Sequence, residues 1–283
     1  MNNKLLTVGM CTYDDYNGVY FSVQALRMYH DIFKTDDAEI LVIDNNPSST
    51  HGEQTKKFVS NLKNARYIPY TVRTTTAARN EIFKNAFGKY CISIDCHVLL
   101  CEKSIEALLR YYMKNPNCKD IVQGPLVYDN LNHVSTHFKP TWNASMYGQW
   151  ATDERHKTEE AFEIPMQGLG VFSCETRNWR GFNKLFKGFG GEEGYIHEKF
   201  RQFGGRAMCV SNFRWVHRFG RPDGVKYPLK LEDRIWNYFI GWLELTQDPE
   251  HEQIKAIYEH FQGKVSPPVL NNLLEQAKKK MII

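Results

Sequence analysis

The stretch Tyr90-Cys91-Ile92-Ser93-Ile94-Asp95-Cys96-His97 is the part of the sequence that says most about the fold. Its first five residues form an apolar run, which is typical of a strand buried in a sheet. Asp95 and His97 stand at the end of that run, and residues two apart in a strand point to the same face. The pair can therefore hold a divalent metal, but Asp-x-His also occurs by chance, with the histidine as a hydrogen-bonded surface group.

Strands and helices alternate on the N-terminal side of this stretch and just beyond it. The apolar runs predict strands at residues 5–10, 40–43, 67–68 and 90–94. Helical spacing of apolar residues predicts helices at residues 20–33, 55–62, 74–87 and 104–113. Because such alternation indicates βαβ units, we predict an α/β fold with a mostly parallel central sheet flanked by helices.

The pattern changes in the second half of the chain. Short strands are predicted at residues 121–128, 168–172 and 207–210, and a helix at residues 193–203. Residues 130–157 have no clear period and predict a long loop or short irregular strands. From Leu231 onward the chain is helical, so we predict an α/β domain at residues 1–230 and a helical extension packed on it at residues 231–283.

The composition is that of an ordinary globular protein. Of 283 residues, 42% are hydrophobic and 24% charged, and the net charge of +4 permits an anionic partner without requiring one. The seven cysteines are irregularly spaced, which favours reduced thiols over a disulfide framework. We find no signal peptide and no apolar run near the roughly 20 residues of a membrane span, so we expect a cytoplasmic protein.

Polar residues follow the first two predicted strands. Parallel sheets bind ligands at the carboxyl ends of their strands, where this chain has Thr12 and Tyr13, and then Asp44. Tyr13 could stack on a nucleoside and Asp44 could accept a hydrogen bond from a base or ribose, although such residues are also common in turns. Arg79, on a predicted helix, could reach a diphosphate or simply be a solvated or ion-paired residue.

A glycine-rich stretch precedes the predicted helix at residues 193–203. Gly190 and Gly191 would allow a backbone to approach a ligand closely. Glu192 and Glu193 follow where the helix should start, a position that favours negative charge. The two carboxylates are therefore either helix-capping residues or functional ones.

Taken together, these segments resemble the GT-A nucleotide-sugar glycosyltransferases. The chain is most similar to the polypeptide N-acetylgalactosaminyltransferases and the related chondroitin-polymerase and β-1,4-galactosyltransferase types. The segments that carry the resemblance are Asp95-Cys96-His97, residues 166–173, Gly190-Gly191-Glu192-Glu193, Gly204-Gly205 and Trp215-Val216-His217-Arg218-Phe219. The resemblance covers residues 5–222 and implies a GT-A (Rossmann-like) catalytic domain at residues 1–230.

The resemblance also implies a set of site residues. His217 would join Asp95 and His97 as a third ligand of Mn²⁺ (or Mg²⁺), and the donor substrate would be a UDP-sugar. Residues 218–227 would form a lid over the diphosphate. The donor-binding residues that the resemblance and the strand ends together indicate are Thr12, Tyr13, Asp44, Arg79, Gly168, Gly190, Gly191, Arg218 and Arg221.

Glu193 departs from the family pattern. Retaining members have Asn at this position, and inverting members have Asp, which acts as general base on the acceptor hydroxyl. A carboxylate can take a proton from an attacking hydroxyl and an amide cannot, so Glu193 favours an inverting enzyme, with Glu192 holding sugar or acceptor hydroxyls. The alternative is a retaining enzyme in which the diphosphate itself receives the proton.

The resemblance leaves the acceptor open between a glycan, a lipid-linked glycan and a hydroxylated base in DNA, as in viral DNA modification. Basic residues that could track DNA phosphates, or could be ordinary solvated charges, are Arg201, Arg206, Arg214, Arg218, Arg221, Lys226 and Lys230. Two other functions are weighed against a transferase. One is a non-catalytic nucleotide-sugar-binding module, and the other is a nucleotidyltransferase, which would need an early Gly-rich loop that this chain lacks.

Overall fold

The computed structural model describes residues 4–72, 75–220 and 224–281. The strands, in chain order, are β1 (Lys4–Thr12), β2 (Ala38–Asp44), β3 (Ala65–Pro69), β4 (Gly88–Asp95), β5 (Val98–Leu100), β6 (Ile121–Gln123), β7 (Leu126–Val127), β8 (Val134–Ser135), β9 (His137–Asn143), β10 (Met146–Ala151), β11 (Ala161–Glu163), β12 (Val171–Glu175), β13 (Ala207–Val210) and β14 (Trp215–His217). The helices are α1 (Tyr16–Tyr29), α2 (Thr50–Ser60), α3 (Arg79–Asn85), α4 (Ser104–Lys114), α5 (Glu193–Gln202), α6 (Leu231–Thr246), α7 (Glu252–Phe261) and α8 (Pro267–Met281). Short 3-10 turns lie at Asp31–Lys34, Thr76–Ala78, Glu154–Lys157 and Thr176–Asn178.

Eight strands form the central sheet, in the order β11-β13-β6-β12-β4-β1-β2-β3. The half from β4 to β3 is parallel throughout, and β6 and β13 are also parallel. β12 runs antiparallel to β4 and β6, and β11 runs antiparallel to β13. The predicted mostly parallel sheet is therefore confirmed, and each antiparallel pair in it involves a strand that follows residue 120.

Helices cover both faces of this sheet because its strands are buried on both sides. In β2, Ile40 and Val42 pack into one hydrophobic cluster, and Leu41 and Ile43 pack into the other. α1, α2 and α4 lie on the first face, and α3 and α5 to α8 lie on the second. The alternation of strand side chains thus produces the three-layer α/β architecture that the sequence predicts.

The C-terminal helices pack on the rest of the molecule. Ile235 and Phe239 of α6 are fully buried, and they share one hydrophobic cluster with Ile196 and Phe200 of α5. The domain boundary at residue 230 stays a prediction, since α6 and the sheet contribute to the same cluster. Among the described helices, none is long and apolar enough to cross a membrane.

Two local predictions differ from the structure. The helix predicted at residues 74–87 is a 3-10 turn followed by the shorter α3, and residues 73 and 74 lie outside the described part of the chain. Within residues 130–157, β9 and β10 form an antiparallel hairpin. Its aromatic side chains pack against the C-terminal helices, as when Trp142 stacks on His260, and this distant partner explains why the segment shows no local period. All seven cysteines lie in the described part of the chain, and none of them forms a disulfide bond.

Candidate active site

The carboxyl ends of β1, β2 and β4 lie side by side in the central sheet. Thr12 is paired with Asp44 across β1 and β2, and Cys11 is paired with Asp95 across β1 and β4. Parallel strands bring their carboxyl ends to one edge, so the polar residues that follow them are gathered there. The sequence predicted this grouping from strand order alone.

His217 reaches the same edge through a second, smaller sheet. β14 pairs with β5, which places His217 opposite Val98 and so beside His97. The two imidazole rings meet edge to face with their centroids 4.8 Å apart. Nε2 of His217 lies 3.5 Å from Oδ2 of Asp95. Residues separated by about 120 positions in the chain are thus brought together, as the resemblance implied.

These three side chains fit a divalent metal ion. One ligand atom from each of Asp95, His97 and His217 lies within 4.8 Å of the other two. Nε2 of His97 and Nδ1 of His217 are buried, and neither has a hydrogen-bond partner in the described part of the chain. Buried polar atoms are normally paired. A carboxylate and two imidazoles could hold Mn²⁺ or Mg²⁺. Mg²⁺ has the stricter requirements, and the nitrogen ligands favour Mn²⁺.

Asp15 lies against the ring of His97. Oδ2 of Asp15 lies 3.2 Å from Nδ1 of His97, and Arg218 donates to Oδ1 of Asp15 at 3.2 Å. Burial opposes ionisation of Asp15, but the hydrogen bond from His97 and its further contacts lower the pKa to about 2. The sequence analysis missed Asp15, although an aspartate immediately before a helix is a typical N-cap, and it does accept a bond from the Gly18 amide.

Arg79 lies at the base of the site and contacts two acidic residues. It donates to Oδ1 of Asp95 at 2.9 Å and lies 3.5 Å from Oε1 of Glu192. Burial would raise the pKa of Asp95, but the hydrogen bond with His217 and the charge of Arg79 hold it well below its usual range. Asp95 is therefore ionised at neutral pH, as a metal ligand must be.

Glu192 and Glu193 stand at the start of α5. Glu192 makes no capping bond with its side chain, and its Oε1 instead accepts a hydrogen bond from Thr76 at 3.0 Å. Burial, followed by the negative charge of Glu192, raises the pKa of Glu193 to about 8. The side chain of Glu192 therefore does not cap the helix. Glu193 has the pKa of a group that exchanges protons near neutrality.

Gly190 and Gly191 adopt backbone conformations that favour glycine, with φ of 95° and 89°. A Cβ atom on Gly190 would lie 2.3 Å from Nε of Arg234. A Cβ atom on Gly191 would lie 3.0 Å from the Arg234 carbonyl oxygen and from Cβ of Asn237. The backbone of this loop therefore lies close to helix α6, and the predicted close approach to a ligand stays a prediction.

A cavity of about 70 Å³ lies over the strand ends. The predicted site residues that line it are Thr12, Tyr13, Arg79, Asp95 and His97. The rings of Phe189 and Tyr227 meet over it with centroids 4.1 Å apart. Ligand pockets usually enclose roughly 300–1,000 Å³, so this cavity is smaller than a typical ligand pocket.

Within the described part of the chain, five predicted donor-binding residues do not line this cavity, namely Asp44, Gly168, Gly190, Gly191 and Arg218. Asp44 is buried, and its two oxygens accept hydrogen bonds from Tyr67 and the Asn46 amide, while the neighbouring Asn45 does line the cavity. Gly168 is buried, and a Cβ atom there would lie 2.9 Å from the ring of Trp150. Arg221 lies outside the described residues. A role in donor binding stays a prediction for all of these residues.

Known proteins share this fold. GalNAc-T7 in complex with UDP, GalNAc and Mn²⁺ superposes with a TM-score of 0.70 at 17% identity, covering 91% of this chain and 50% of that one. S. aureus TarS (residues 1–349) with UDP-GlcNAc gives 0.59 at 14% identity, covering 98% of this chain and 80% of that one. The mannosyltransferase PcManGT from Pyrobaculum calidifontis with GDP-Man and Mn²⁺ gives 0.58 at 13%, covering 96% and 79%. This chain therefore spans half the length of the GalNAc-T7 chain.

These structures confirm the predicted GT-A architecture. Their sequence identities to this chain are low, so the likeness shows the fold alone. No curated protein sequence matches the chain significantly. The sequence profile of one family, however, matches residues 7–178, which is more than half of the chain and includes β1 to β4 and the Asp95–His97 segment. On this match, the chain belongs to glycosyl transferase family 2.

Proposed function

We propose that this chain is a Mn²⁺-dependent (or Mg²⁺-dependent) glycosyltransferase that moves a sugar from a UDP-type donor to an acceptor hydroxyl. The observation that carries the proposal is the convergence of Asp95, His97 and His217, whose ligand atoms lie within 4.8 Å of one another at the end of β4. When bound there, the metal would neutralise negative charge on the departing nucleoside diphosphate. The complexes of GalNAc-T7 with UDP and of TarS with UDP-GlcNAc support a uridine donor.

The donor would occupy the cavity over the strand ends. Tyr13 is partly exposed beside this cavity and offers a ring for stacking on the base. Thr12 has a buried hydroxyl without a hydrogen-bond partner among the described residues, and it can bond to a donor hydroxyl. Arg218, assisted by Arg221, would bind the diphosphate, and the segment that contains Tyr227 would close over it.

Glu193 would act as the general base in an inverting reaction. Its raised pKa, about 8, makes its carboxylate a stronger base than an exposed glutamate. Glu192 would hold a sugar or acceptor hydroxyl through Oε2, which is buried and has no partner within the described part of the chain. In the retaining alternative the acceptor proton passes to the diphosphate, and Glu193 only binds hydroxyl groups.

The acceptor that we propose is a glycan or a lipid-linked glycan, with a hydroxylated base in DNA as the alternative. Three of the residues that could track DNA phosphates already have acidic partners inside the protein. Arg201 pairs with Glu198, Arg206 with Asp120 and Arg218 with Asp15. These pairs leave less free positive charge for DNA than the sequence suggested.

The test of this function is a panel of nucleotide-sugar donors assayed for nucleoside diphosphate release with Mn²⁺, with and without DNA. We expect release from one UDP-sugar, loss on chelation, and loss in His97→Ala. His133→Ala is the control, because this exposed histidine is hydrogen-bonded to Asn130 and not to a candidate metal ligand. Donor binding without release would indicate a binding module, and inorganic diphosphate formed from a nucleoside triphosphate would indicate a nucleotidyltransferase.

A further inference from the structure

One carboxylate, that of Asp15, contacts three different parts of the candidate site. Its Oδ1 caps helix α1 by accepting from the Gly18 amide at 3.0 Å, and it also accepts from Nη2 of Arg218 at 3.2 Å. Its Oδ2 faces Nδ1 of His97 at 3.2 Å. The helix, the metal-ligand segment and the segment after β14 therefore meet at a single side chain.

We propose that Asp15 is a positioning residue that fixes the tautomer of His97. The inference rests on the proposed function only in what the bound metal is used for. An ionised carboxylate accepts hydrogen bonds and cannot donate them, so the proton of a neutral His97 ring must lie on Nδ1. The lone pair is then on Nε2, which is the buried nitrogen that lacks a partner among the described residues. This is the state in which an imidazole can ligate a metal.

The second oxygen of Asp15 separates this role from simple helix capping. Capping uses Oδ1, and serine or asparagine would serve equally well for it. Oδ2 contributes nothing to the helix and instead lies against His97, with the Cys96 thiol at 3.7 Å. The geometry thus requires an acceptor at Oδ2, and only a carboxylate provides acceptors in both positions.

Arg218 extends the same arrangement to the phosphate side of the site. Its backbone amide donates to the His97 carbonyl oxygen at 3.2 Å, and its guanidinium lies 3.2 Å from Asp15. Asp15 therefore orients the candidate metal ligand and the candidate phosphate-binding arginine together. Loss of its charge is expected to disturb both.

The experiment is the substitution Asp15→Asn in the full chain. The new carbonyl oxygen can keep the bonds to Gly18 and Arg218, which places the amide nitrogen at the position of Oδ2. That nitrogen donates to Nδ1 of His97 and favours the tautomer with its proton on Nε2, which must lose or move that proton before Nε2 can bind metal. We expect a Mn²⁺ dissociation constant about 10–100-fold higher, measured by the electron paramagnetic resonance of free Mn²⁺.

Nitrogen-15 spectra of the histidine rings in metal-free protein give the second readout. We expect the His97 proton on Nδ1 in the wild-type protein and on Nε2 in Asp15→Asn. Asp15→Ser keeps a capping oxygen but offers nothing to His97, so its ring samples both tautomers and binds Mn²⁺ better than Asp15→Asn does. A purely structural role predicts the opposite order, because asparagine is the closer substitute in size.

Asp153→Asn is the matched control. Asp153 also caps a helical turn, by accepting from the Arg155 amide at 2.9 Å, and it also pairs with an arginine, but it does not contact a candidate metal ligand. We expect wild-type Mn²⁺ affinity and an unchanged His97 tautomer. An unchanged tautomer in Asp15→Asn would overturn the positioning role, whereas a switched tautomer in a protein that never binds Mn²⁺ would uphold it and reject the proposed function.

Discussion

Nη2 of Arg79 lies 2.9 Å from Oδ1 of Asp95, so a buried guanidinium contacts a candidate metal ligand. The other terminal nitrogen of the same guanidinium faces Glu192 at 3.5 Å. The resemblance to glycosyltransferases suggests that Arg79 binds the diphosphate. The structure adds an electrostatic link between the metal-ligand segment and the start of α5, where the candidate base lies.

Replacing Arg79 with methionine is expected to affect stability and metal binding together. The change leaves the buried Glu192 and the partly exposed Asp95 without their cationic partner, and breaking a buried ion pair costs about 3–5 kcal/mol of unfolding free energy. Asp95 also loses its positioning contact, so Mn²⁺ affinity falls. Chemical denaturation and Mn²⁺ titration measure the two effects.

Arg66→Met is the control for this prediction. Arg66 forms a comparable pair with the buried Glu39, at 2.8 Å, but away from the candidate site. It should also destabilise the protein while leaving Mn²⁺ affinity unchanged. Equal Mn²⁺ affinities in Arg79→Met and the wild type would contradict the link between Arg79 and the metal site.

Gly190→Ala is predicted to disturb the loop that precedes Glu192 and Glu193. Gly190 and Gly204 both have positive φ, 95° and 76°, so alanine costs roughly 1–2 kcal/mol in backbone strain at either position. Only at Gly190 would the new Cβ atom collide with Arg234, which donates to the Ser145 hydroxyl at 2.7 Å. We expect Gly190→Ala to lower turnover at least tenfold beyond any effect of Gly204→Ala, compared at matched folded fractions. Equal turnover in the two variants would show that the contact with α6 is dispensable.

The sequence predicted the site where its residues lie at strand ends, and it predicted less where helices from distant segments take part. Asp95 and His97 follow a buried strand, so their position at the sheet edge is a consequence of strand order. The contact of Arg234 with the glycine loop joins residues more than 40 positions apart. No local period encodes such a contact, so it could be found only in three dimensions.

Asp44 illustrates a second limit of sequence reasoning. Its position at the end of β2 was predicted correctly, but its side chain points to Tyr67, whose hydroxyl donates to Oδ2 at 2.7 Å. A strand-end position specifies where a residue lies and leaves open what its side chain contacts. The sequence left the hairpin of β9 and β10 open between a loop and short irregular strands for a related reason, since Trp142 contacts Tyr238 of α6 and Phe261 of α7.

Tyr227→Ala is predicted to weaken donor binding. The ring of Tyr227 contacts Phe189 at 4.1 Å over the cavity, and an aromatic pair contributes about 0.5–1.5 kcal/mol. If this contact stabilises the closed site, its loss raises the donor KM by roughly 2–13-fold. It should also raise donor hydrolysis relative to transfer, because an open site admits water. Tyr227→Phe keeps the ring and should restore both values; a donor KM in Tyr227→Ala within twofold of the wild type would contradict this role.

The pH dependence of turnover tests whether Glu193 is the base. Burial and then the charge of Glu192 raise the pKa of Glu193 to about 8, so the carboxyl is mostly protonated at pH 7. A base must be ionised, and the ionised fraction falls about tenfold for each pH unit below the pKa. We therefore expect turnover to rise with pH and to level off above about pH 8.

Two substitutions make the test of Glu193 specific. Glu192→Gln removes the charge that raises the pKa of Glu193, so the rising part of the profile should move to lower pH. Glu193→Gln should lower turnover by about 10²–10⁴-fold, and the wild-type product should have the anomeric configuration opposite to that of the donor by nuclear magnetic resonance. Retained configuration with an active Glu193→Gln variant would instead assign the proton to the departing diphosphate, because an amide at position 193 cannot accept it.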